Sequence, residues 1–403
     1  MKVAIIGGGA AGFFAAINAK ENHPSAEVVI IEKSTKLLSK VKVSGGGRCN
    51  VTNGCQTIKE LSEGYPRGGK ALRKIFHEFN NISTMEWFEK RGVPIYVQDD
   101  NRAFPKSNDS QSIIDCFLRE VDRLHIKVEL KTEIKAIESF KDQWLLSINE
   151  ESNPRLFDIV IIAAGGASKL KAFDWLANLG HNIEAPIPSL FTFNMPDEPI
   201  KKLMGLVVDK TLVTIQGTKL KSVGPLLITH WGMSGPAILK LSAFGARILA
   251  DKDYDFKIQV NWVCDASFEN VMSYLEELAL NNPKKQLSNL RPYNLPDRIW
   301  LFLLSKIGFS GTKKWGEIGK KGLNKLVNIL TNDVYHVRGK TTFKEEFVTC
   351  GGINLANIDM KTMQSKVAKN LYFAGEVADI DGITGGYNFQ AAWTTGYIAG
   401  KLR

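Results

Sequence analysis

The residues best suited to chemistry lie in a short stretch near the N-terminus, KVSGGGRCNVTN (Lys42–Asn53). Its consecutive glycines could cradle a phosphate or another anionic ligand, and Cys49 with Cys55 could form a redox pair. His230, in the segment THWGMSGP, could donate or accept a proton. No Gly-Lys-Ser/Thr follows the glycines, which excludes a P-loop. Phosphate binding, thiol chemistry and a plain turn all remain open from these residues alone.

The elements that must position this stretch begin at the N-terminus. KVAII (Lys2–Ile6) predicts a buried strand, the turn Gly7-x-Gly9-x-x-Gly12 follows, and the next residues have helical composition. A second predicted strand ends at Glu32, twenty residues beyond Gly12. This order is the dinucleotide fingerprint, in which the pyrophosphate faces a helix N-terminus and the acid accepts from ribose hydroxyls. The sequence therefore predicts dinucleotide binding, with NAD and FAD both open.

Polar residues surround the three glycines of the opening stretch. Gly45–Gly47 free the backbone to lie against a flat or anionic ligand. Lys40 and Arg48 supply positive charge, while Asn50 and Asn53 supply amide hydrogen bonds. We expect the stretch to contact the dinucleotide.

Composition limits the class of protein. The 403 residues are 44% hydrophobic and 23% charged, with a net charge of +10, which is ordinary for a soluble chain of two or three domains. The scattered lysines favour a mildly basic surface, so nucleic acid is an unlikely partner on this count. Five cysteines without close pairs predict neither a disulfide framework nor a metal site. With no membrane span and no convincing signal peptide, we expect a cytoplasmic protein.

Patterning along the chain predicts an α/β fold with a discontinuous Rossmann-like domain. FDIVIIAAGG and LYFAGE are strands entering glycine turns, and a closing helix follows Gly385-Gly386. Alternating segments after Pro188 predict an inserted antiparallel, barrel-like domain, and residues after Ser267 have helical periodicity. The predicted division is 1–187 with 345–403 for the Rossmann-like domain, 188–266 with 332–344 for the β domain, and 267–331 for a helical insertion.

Several motifs together resemble the HI0933-like flavoproteins, a bacterial FAD-dependent oxidoreductase family with members of aminoacetone-oxidase type. The likeness covers essentially the whole chain. Besides the opening stretch, it is carried by NRAFPKSNDSQSIIDCF, DIVIIAAGGAS, ITHWGMSGPAILKLS, EEFVTCGGINL and LYFAGEVADIDGITGGYNFQAAWTTGYIAG. The chain departs from the family after Gly166, where ASKLKAFDWLANLG stands in place of a Tyr-Pro and further glycines. A second departure is Leu38-Ser39, before Lys40.

The resemblance implies FAD as the cofactor and places further residues around it. The backbone near Ile134 would lie against the adenine, and the Gly165-Gly166 turn would approach from the other side of the sheet. The closing helix would aim its N-terminus at the flavin N1–C2=O edge, with Glu376 and Asp381 accepting from cofactor hydroxyls. The full predicted set is Gly7, Gly9, Ala10, Ala11, Gly12, Glu32, Lys33, Lys40, Ser44, Gly45, Gly46, Gly47, Arg48, Cys49, Asn50, Asn53, Ile134, Ala164, Gly165, Gly166, Gly375, Glu376, Asp381, Gly385, Gly386, Tyr387, Asn388, Gln390 and Ala391.

The predicted function is hydride transfer between flavin N5 and a small organic substrate. The reaction would be oxidation of an amine or alcohol, or reduction of an activated C=C bond, with NAD(P)H binding at most transiently. His230 is a weak candidate for the catalytic acid or base. Two alternatives remain: a disulfide reductase using Cys49 and Cys55, and a flavin-bearing protein that binds or modifies RNA.

Overall fold

The computed structural model describes residues 1–149, 151–264, 267–341 and 348–403. Within those ranges the α-helices are α1 (Ala10–Asn22), α2 (Ser39–Gly47), α3 (Ile58–Glu63), α4 (Gly69–Ile75), α5 (Asn81–Glu89), α6 (Gln111–Arg123), α7 (Asp174–Ala177), α8 (Pro236–Asp251), α9 (Phe268–Asn281), α10 (Asp297–Lys306), α11 (Gly319–Thr331) and α12 (Tyr387–Ala399).

The strands in the same ranges are β1 (Lys2–Ile6), β2 (Glu27–Ile31), β3 (Thr52–Asn53), β4 (Ile95–Val97), β5 (Arg102–Pro105), β6 (Lys127–Glu129), β7 (Ile134–Phe140), β8 (Gln143–Ile148), β9 (Arg155–Phe157), β10 (Ile159–Ile162), β11 (Ile183–Ser189), β12 (Thr192–Asn194), β13 (Val207–Ile215), β14 (Lys221–Ile228), β15 (Gly232–Ser234), β16 (Asp255–Asn261), β17 (Asp333–Arg338), β18 (Lys340–Thr341), β19 (Val348–Ile353), β20 (Ile358–Asp359), β21 (Gln364–Ser365) and β22 (Leu371–Phe373).

The described residues divide into two compact units. The first unit contains 1–149, 151–189 and 348–403, and the second contains 190–264 and 267–341. The predicted boundaries at 266 and 344 fall on residues outside the described part of the chain. The structure groups the β strands and the helices after Ser267 in one unit. The three-part division remains a prediction.

The first unit is built on a Rossmann-type sheet with strand order β20-β21-β22-β10-β1-β2-β6. β22, β10, β1, β2 and β6 run parallel, as expected for strands buried on both faces, and β1 is buried from Val3 to Ile6. α1 crosses from β1 to β2, and α12 packs against α1. The predicted strand–turn–helix–strand order at the N-terminus is confirmed.

The second unit has a seven-stranded antiparallel sheet in the order β17-β16-β13-β14-β15-β12-β18. Its strands and the helices α8, α9, α10 and α11 share one hydrophobic core. Trp262, Trp300 and Trp315 are almost wholly buried in that core. The helices predicted after Ser267 are confirmed as helices, and burial of their apolar faces attaches them to the sheet.

Two possible features do not occur within the described residues. No helix there is long and apolar enough to cross a membrane. No group of three or more His, Cys, Asp or Glu side chains there could hold a metal ion.

Candidate functional site

Three glycine-containing turns of the first unit follow the C-terminal ends of neighbouring strands in its parallel sheet. β22, β10 and β1 are neighbours, and they lead into Gly375, Ala164 and Gly7 respectively. β1 connects to β2 on one side, whereas β10 and β22 lie on the other. The strand order therefore reverses at β1. Ligands of open parallel sheets bind at this point, outside the C-terminal ends of the strands.

The first of these turns holds a helix N-terminus close to the sheet. A side-chain carbon at Gly12 would lie 1.9 Å from the carbonyl oxygen of Gly7, so only glycine fits there. α1 begins at Ala10 after Gly9, and its first turn, which is fully described, contains no acidic residue. The free N–H groups of Ala10 and Ala11 and the helix dipole thus favour an anionic group at this end.

The carboxylate of Glu32 is held immediately after β2. Its two oxygens accept from the backbone N–H groups of Gly8 at 2.7 Å and Ser34 at 2.8 Å. The glycine turn and the acid of the fingerprint are therefore in direct contact, and the remaining lone pairs of the carboxylate can accept from ribose hydroxyls.

A cavity of about 400 Å³ lies beside Glu32 in the first unit. It brings together predicted residues from four separate segments. These are Gly7, Glu32, Lys33, Ile134, Ala164, Gly165 and Gly166. Residues more than a hundred positions apart in the sequence therefore line the same cavity.

The same cavity is lined by residues that the sequence did not identify. Lys171, Phe173 and Trp175 follow the Gly165-Gly166 turn. The indole N–H of Trp175 donates to the carbonyl of Ala172 at 3.0 Å, which orients the ring. The only signal in the sequence was a pair of aromatic residues in a segment that departs from the family pattern.

The GGG stretch has a backbone that glycine favours strongly. Gly45, Gly46 and Gly47 have φ of 57°, 69° and 84°, and they break α2 at its C-terminal end. The hydroxyl of Ser44 donates to the carbonyl of Val41 at 3.0 Å. The Arg48 guanidinium lies 4.2 Å from the centre of the Phe104 ring. The positive charge predicted at Arg48 is thus packed on an aromatic ring.

Lys40 and Glu376 form an ion pair between the start of α2 and the turn after β22. The Lys40 Nζ lies 2.7 Å from a Glu376 oxygen, and the other oxygen accepts from the Thr349 backbone N–H at 2.9 Å. The Lys40 side chain is 53% exposed, so the pair contributes little to stability. It brings two residues of the predicted set together.

Asn50 and Asn53 connect the opening stretch to the two glycines before α12. The Asn50 side chain, with its amide oriented to satisfy its neighbours, accepts from the Gly386 N–H at 3.0 Å. The Asn53 side chain donates to the carbonyl of Gly385 at 3.1 Å. These bonds place the opening stretch beside the N-terminus of α12.

Several side chains in the first turn of α12 are engaged in hydrogen bonds or buried within the protein. Asn388 exchanges two hydrogen bonds with the backbone of Gly382, and Ala391 is buried. Gln390 is wholly buried; its carbonyl accepts from Thr52 and Thr84, and its amide donates to Thr394. The side chain of Gln390 is therefore committed to the core.

Asp381 is wholly buried and paired with Arg67. Both guanidinium nitrogens that contact it donate to its two oxygens, and the Ser189 hydroxyl donates at 2.8 Å. Burial raises the pKa of Asp381, and the Arg67 charge opposes that shift. Arg67 and Ser189 are thus partners of the Asp381 carboxylate, and its role as an acceptor for cofactor hydroxyls remains a prediction. No pattern in the sequence indicates Arg67, which lies 314 positions from Asp381.

The two cysteines of the opening region differ in environment. Cys49 is wholly buried, and burial raises the pKa of its thiol to about 12. Cys55 is half-buried; its thiol donates to the Asn53 side chain at 2.8 Å and lies 3.4 Å from the Tyr387 hydroxyl. Burial also raises the pKa of the Cys55 thiol. Neither environment favours the thiolate that a redox pair needs.

His230 belongs to the second unit. It is exposed in the turn between β14 and β15, and its ring lies 3.9 Å from that of Trp231, edge on. Its role as acid or base remains a prediction.

Comparison with known proteins adds a family and two relatives. The family described as "HI0933-like protein Rossmann domain" matches residues 1–402. The chain is 25% identical to the 3-dehydro-bile acid delta(4,6)-reductase of Clostridium scindens, covering 99% of this chain and 98% of that protein. It is 26% identical to the ribosomal RNA dihydrouridine synthase of Escherichia coli, covering 98% and 96%.

A solved structure shows the same fold at lower identity. The 3-ketosteroid-delta4-(5alpha)-dehydrogenase of Rhodococcus jostii has a TM-score of 0.51 and 10% identity, with 99% of this chain and 96% of that one covered. At this identity the likeness concerns the fold alone.

Proposed function

Because this chain belongs to the HI0933-like Rossmann-domain family of FAD-dependent oxidoreductases, we propose that it reduces a C=C bond conjugated with a carbonyl group. The single observation that carries this proposal is the likeness, over almost the full length, to two proteins whose names share that chemistry. A Δ4 bond beside a 3-oxo group and the C5=C6 bond of uridine are both conjugated with a carbonyl. In each reduction, a hydride adds at the β carbon and a proton at the α carbon.

The residues of the first unit fit FAD. The cavity beside Glu32 suits the adenosine, with Ile134 and Trp175 at the base and Glu32 at the ribose. The acid-free N-terminus of α1 suits the pyrophosphate. The remaining residues proposed to hold the cofactor are those of the Gly45–Asn53 segment and the backbone around Gly385–Tyr387. FAD, when bound, supplies hydride transfer at N5.

The chain's own residues would set the electrostatics around that cofactor. The N-terminus of α12, whose fully described first turn has no acidic residue, would favour adjacent negative charge by about 0.3–1 kcal/mol. Asn50 and Asn53 hold the glycines before α12, and Arg67 fixes Asp381 in the same loop. We propose that these contacts keep the N-terminus of α12 in one position during turnover.

The antiparallel sheet of the second unit, which the sequence predicts to be barrel-like, belongs to the proposed substrate domain. His230 remains the proposed proton donor, because an imidazole can transfer a proton near neutral pH. NAD(P)H is the proposed reductant, bound transiently, and the cytoplasm is the proposed location. Oxidation of an amine or alcohol is the less favoured direction, because both named relatives point to reduction.

The test is product analysis with matched substrates. FAD-loaded protein is incubated anaerobically with NADPH and either a 3-oxo-4-ene steroid acid or its analogue lacking the 3-oxo group. We expect the conjugated substrate to gain two hydrogens and the analogue to remain unchanged. Equal reaction of both would show that conjugation is not required, and oxidation of amines with no C=C reduction would overturn the proposal.

Uracil within ribosomal RNA is the second candidate substrate. The dihydrouridine synthase relative and the net charge of +10 favour it, although the composition by itself makes nucleic acid an unlikely partner. Incubation with rRNA from cells lacking this gene should produce dihydrouridine if RNA is the substrate. Steroid reduction without any dihydrouridine would exclude this candidate and leave the main proposal intact.

A further inference from the structure

The positive charge of this protein is concentrated in its second unit. Residues 190–342 carry 21 Lys and Arg against 13 Asp and Glu, a net charge of +8. The rest of the chain carries 31 against 29, a net charge of +2. A basic balance confined to one unit indicates a polyanionic partner better than the total charge does.

Part of this charge lies on exposed lysines of adjoining segments, here called the lysine surface: Lys284, Lys285, Lys314, Lys320, Lys321 and Lys325. Two segments that carry it are joined by hydrogen bonds. The Trp315 N–H donates to the Lys285 carbonyl at 2.9 Å, and the Leu287 N–H donates to the Lys313 carbonyl at 2.8 Å. α11 begins four residues after Trp315 and adds the other three lysines.

Buried aromatic residues hold these segments in place. The rings of Trp300 and Trp315 stack with an interplanar angle of 7°. Their indole N–H groups donate to the carbonyls of Leu287 at 2.6 Å and Leu290 at 3.2 Å. The lysines therefore extend from a packed scaffold, which lowers the entropy lost when a ligand binds.

The acidic groups nearby do not neutralise these lysines. Glu317 lies between them, and its carboxylate accepts from the Lys314 backbone N–H at 3.2 Å. α9, which packs on α11, carries Glu269, Glu276 and Glu277. Within the described part of the chain, none of the six ammonium groups forms an ion pair. Six exposed ammonium groups carried by one unit give it a positive potential that attracts a polyanion.

We propose that the lysine surface binds the phosphate backbone of RNA. This inference rests on the second candidate substrate, because an enzyme that acts on bases within RNA needs a surface that binds the phosphates as well. Lysine contacts to phosphate carry no sequence information, so the surface would position RNA for a site elsewhere in the protein.

The test compares two quadruple variants of the FAD-loaded, full-length protein. One changes Lys285, Lys314, Lys321 and Lys325 to Gln, and the control changes the exposed Lys59, Lys74, Lys106 and Lys141 to Gln. Binding of an rRNA fragment is measured over a range of salt concentrations. We expect the surface variant to bind roughly tenfold more weakly or worse, with a smaller salt slope, by about 0.7–0.9 per lost contact. The control should bind within about twofold of the parent.

Unchanged RNA binding by the surface variant, or an equal loss in the control, would overturn the inference. Vesicles of phosphatidylglycerol are tested in parallel. A surface variant that loses binding to these vesicles but keeps its binding to RNA would also overturn the inference. If the quadruple variant fails to fold, the double variants K284Q/K285Q and K321Q/K325Q carry the same test. RNA that binds through this surface but acquires no dihydrouridine would instead reject the RNA substrate and leave the binding surface standing.

Discussion

The two units of this protein carry their polar chemistry in different ways. The first unit is nearly neutral, with a net charge of +2, and its candidate site depends on backbone turns, helix N-termini and one buried ion pair. The second unit carries +8, and its distinctive polar feature is a group of exposed lysines on a packed scaffold. A site made of backbone geometry should fail on a single substitution, whereas a surface of exposed charges should weaken in steps.

The largest effect on cofactor binding is expected at Gly12. In Gly12→Val, the added side chain would collide with the carbonyl of Gly7, which a side-chain carbon would approach to 1.9 Å. We expect the dissociation constant for FAD to rise at least roughly 100-fold, about 3 kcal/mol, as followed by flavin fluorescence. RNA binding by the second unit should persist. Retention of parental FAD affinity would show that α1 does not contact the cofactor.

The largest effect on stability is expected at the buried ion pair. Arg67→Met leaves Asp381 buried without its partner, and we expect the free energy of unfolding to fall by about 3–5 kcal/mol. Lys40→Met, which breaks an exposed pair, should cost at most about 1 kcal/mol. Urea denaturation measures both. Equal losses would remove the distinction between the two pairs.

The pH dependence of the Arg67→Met loss has a definite sign. Burial raises the pKa of Asp381, and removing Arg67 raises it further. A carboxyl whose folded-state pKa is raised loses stability as pH rises from its unfolded pKa through its folded pKa. The loss should therefore be smaller at about pH 5 than at about pH 8. A loss that grows on acidification would contradict this account of the pair.

An intermediate effect is expected at Trp175. Trp175→Ala removes an aromatic wall of the cavity, and loss of base–aromatic stacking costs about 1–3 kcal/mol, or about tenfold or more in FAD affinity. FMN, which lacks adenine, should bind as before. Phe140→Ala, at a 47% exposed position in β7, is the control. Equal weakening for FMN and FAD would place the adenine elsewhere.

The smallest effect is expected at the cysteines. Cys55→Ser should leave flavin turnover within about twofold of the parent, because the proposed hydride chemistry uses no thiolate. Alkylation of the native protein at about pH 8 should label the half-buried Cys55 and spare Cys49, whose thiol pKa is about 12. Abolished turnover with FAD retained would support the disulfide reductase alternative.

Local patterns predicted the parts of the site that depend on neighbouring residues. The Gly7–Gly12 turn, its flanking strands and Glu32 lie in one continuous segment, and the structure joins Gly8 to Glu32 directly. The helices and strands of the second half were also predicted, because their periodicities are local.

What the sequence could not predict depends on long-range packing. Trp175 reaches the cavity only because the chain folds back after the Gly165-Gly166 turn. Arg67 and Asp381 form an ion pair although they are 314 positions apart in the sequence. The Gln390 side chain forms hydrogen bonds with buried threonines. The shared core of the second unit likewise joins segments that are far apart in the sequence.

One measurement tests the central claim most directly. The FAD-loaded protein is reduced with dithionite under anaerobic conditions and mixed with a carbonyl-conjugated alkene, while the absorbance of oxidised flavin is followed in a stopped-flow instrument. The account predicts rapid return of that absorbance with the conjugated alkene and none with its isolated-alkene analogue. A protein that takes up no FAD, or whose reduced flavin is reoxidised only by oxygen, would contradict it.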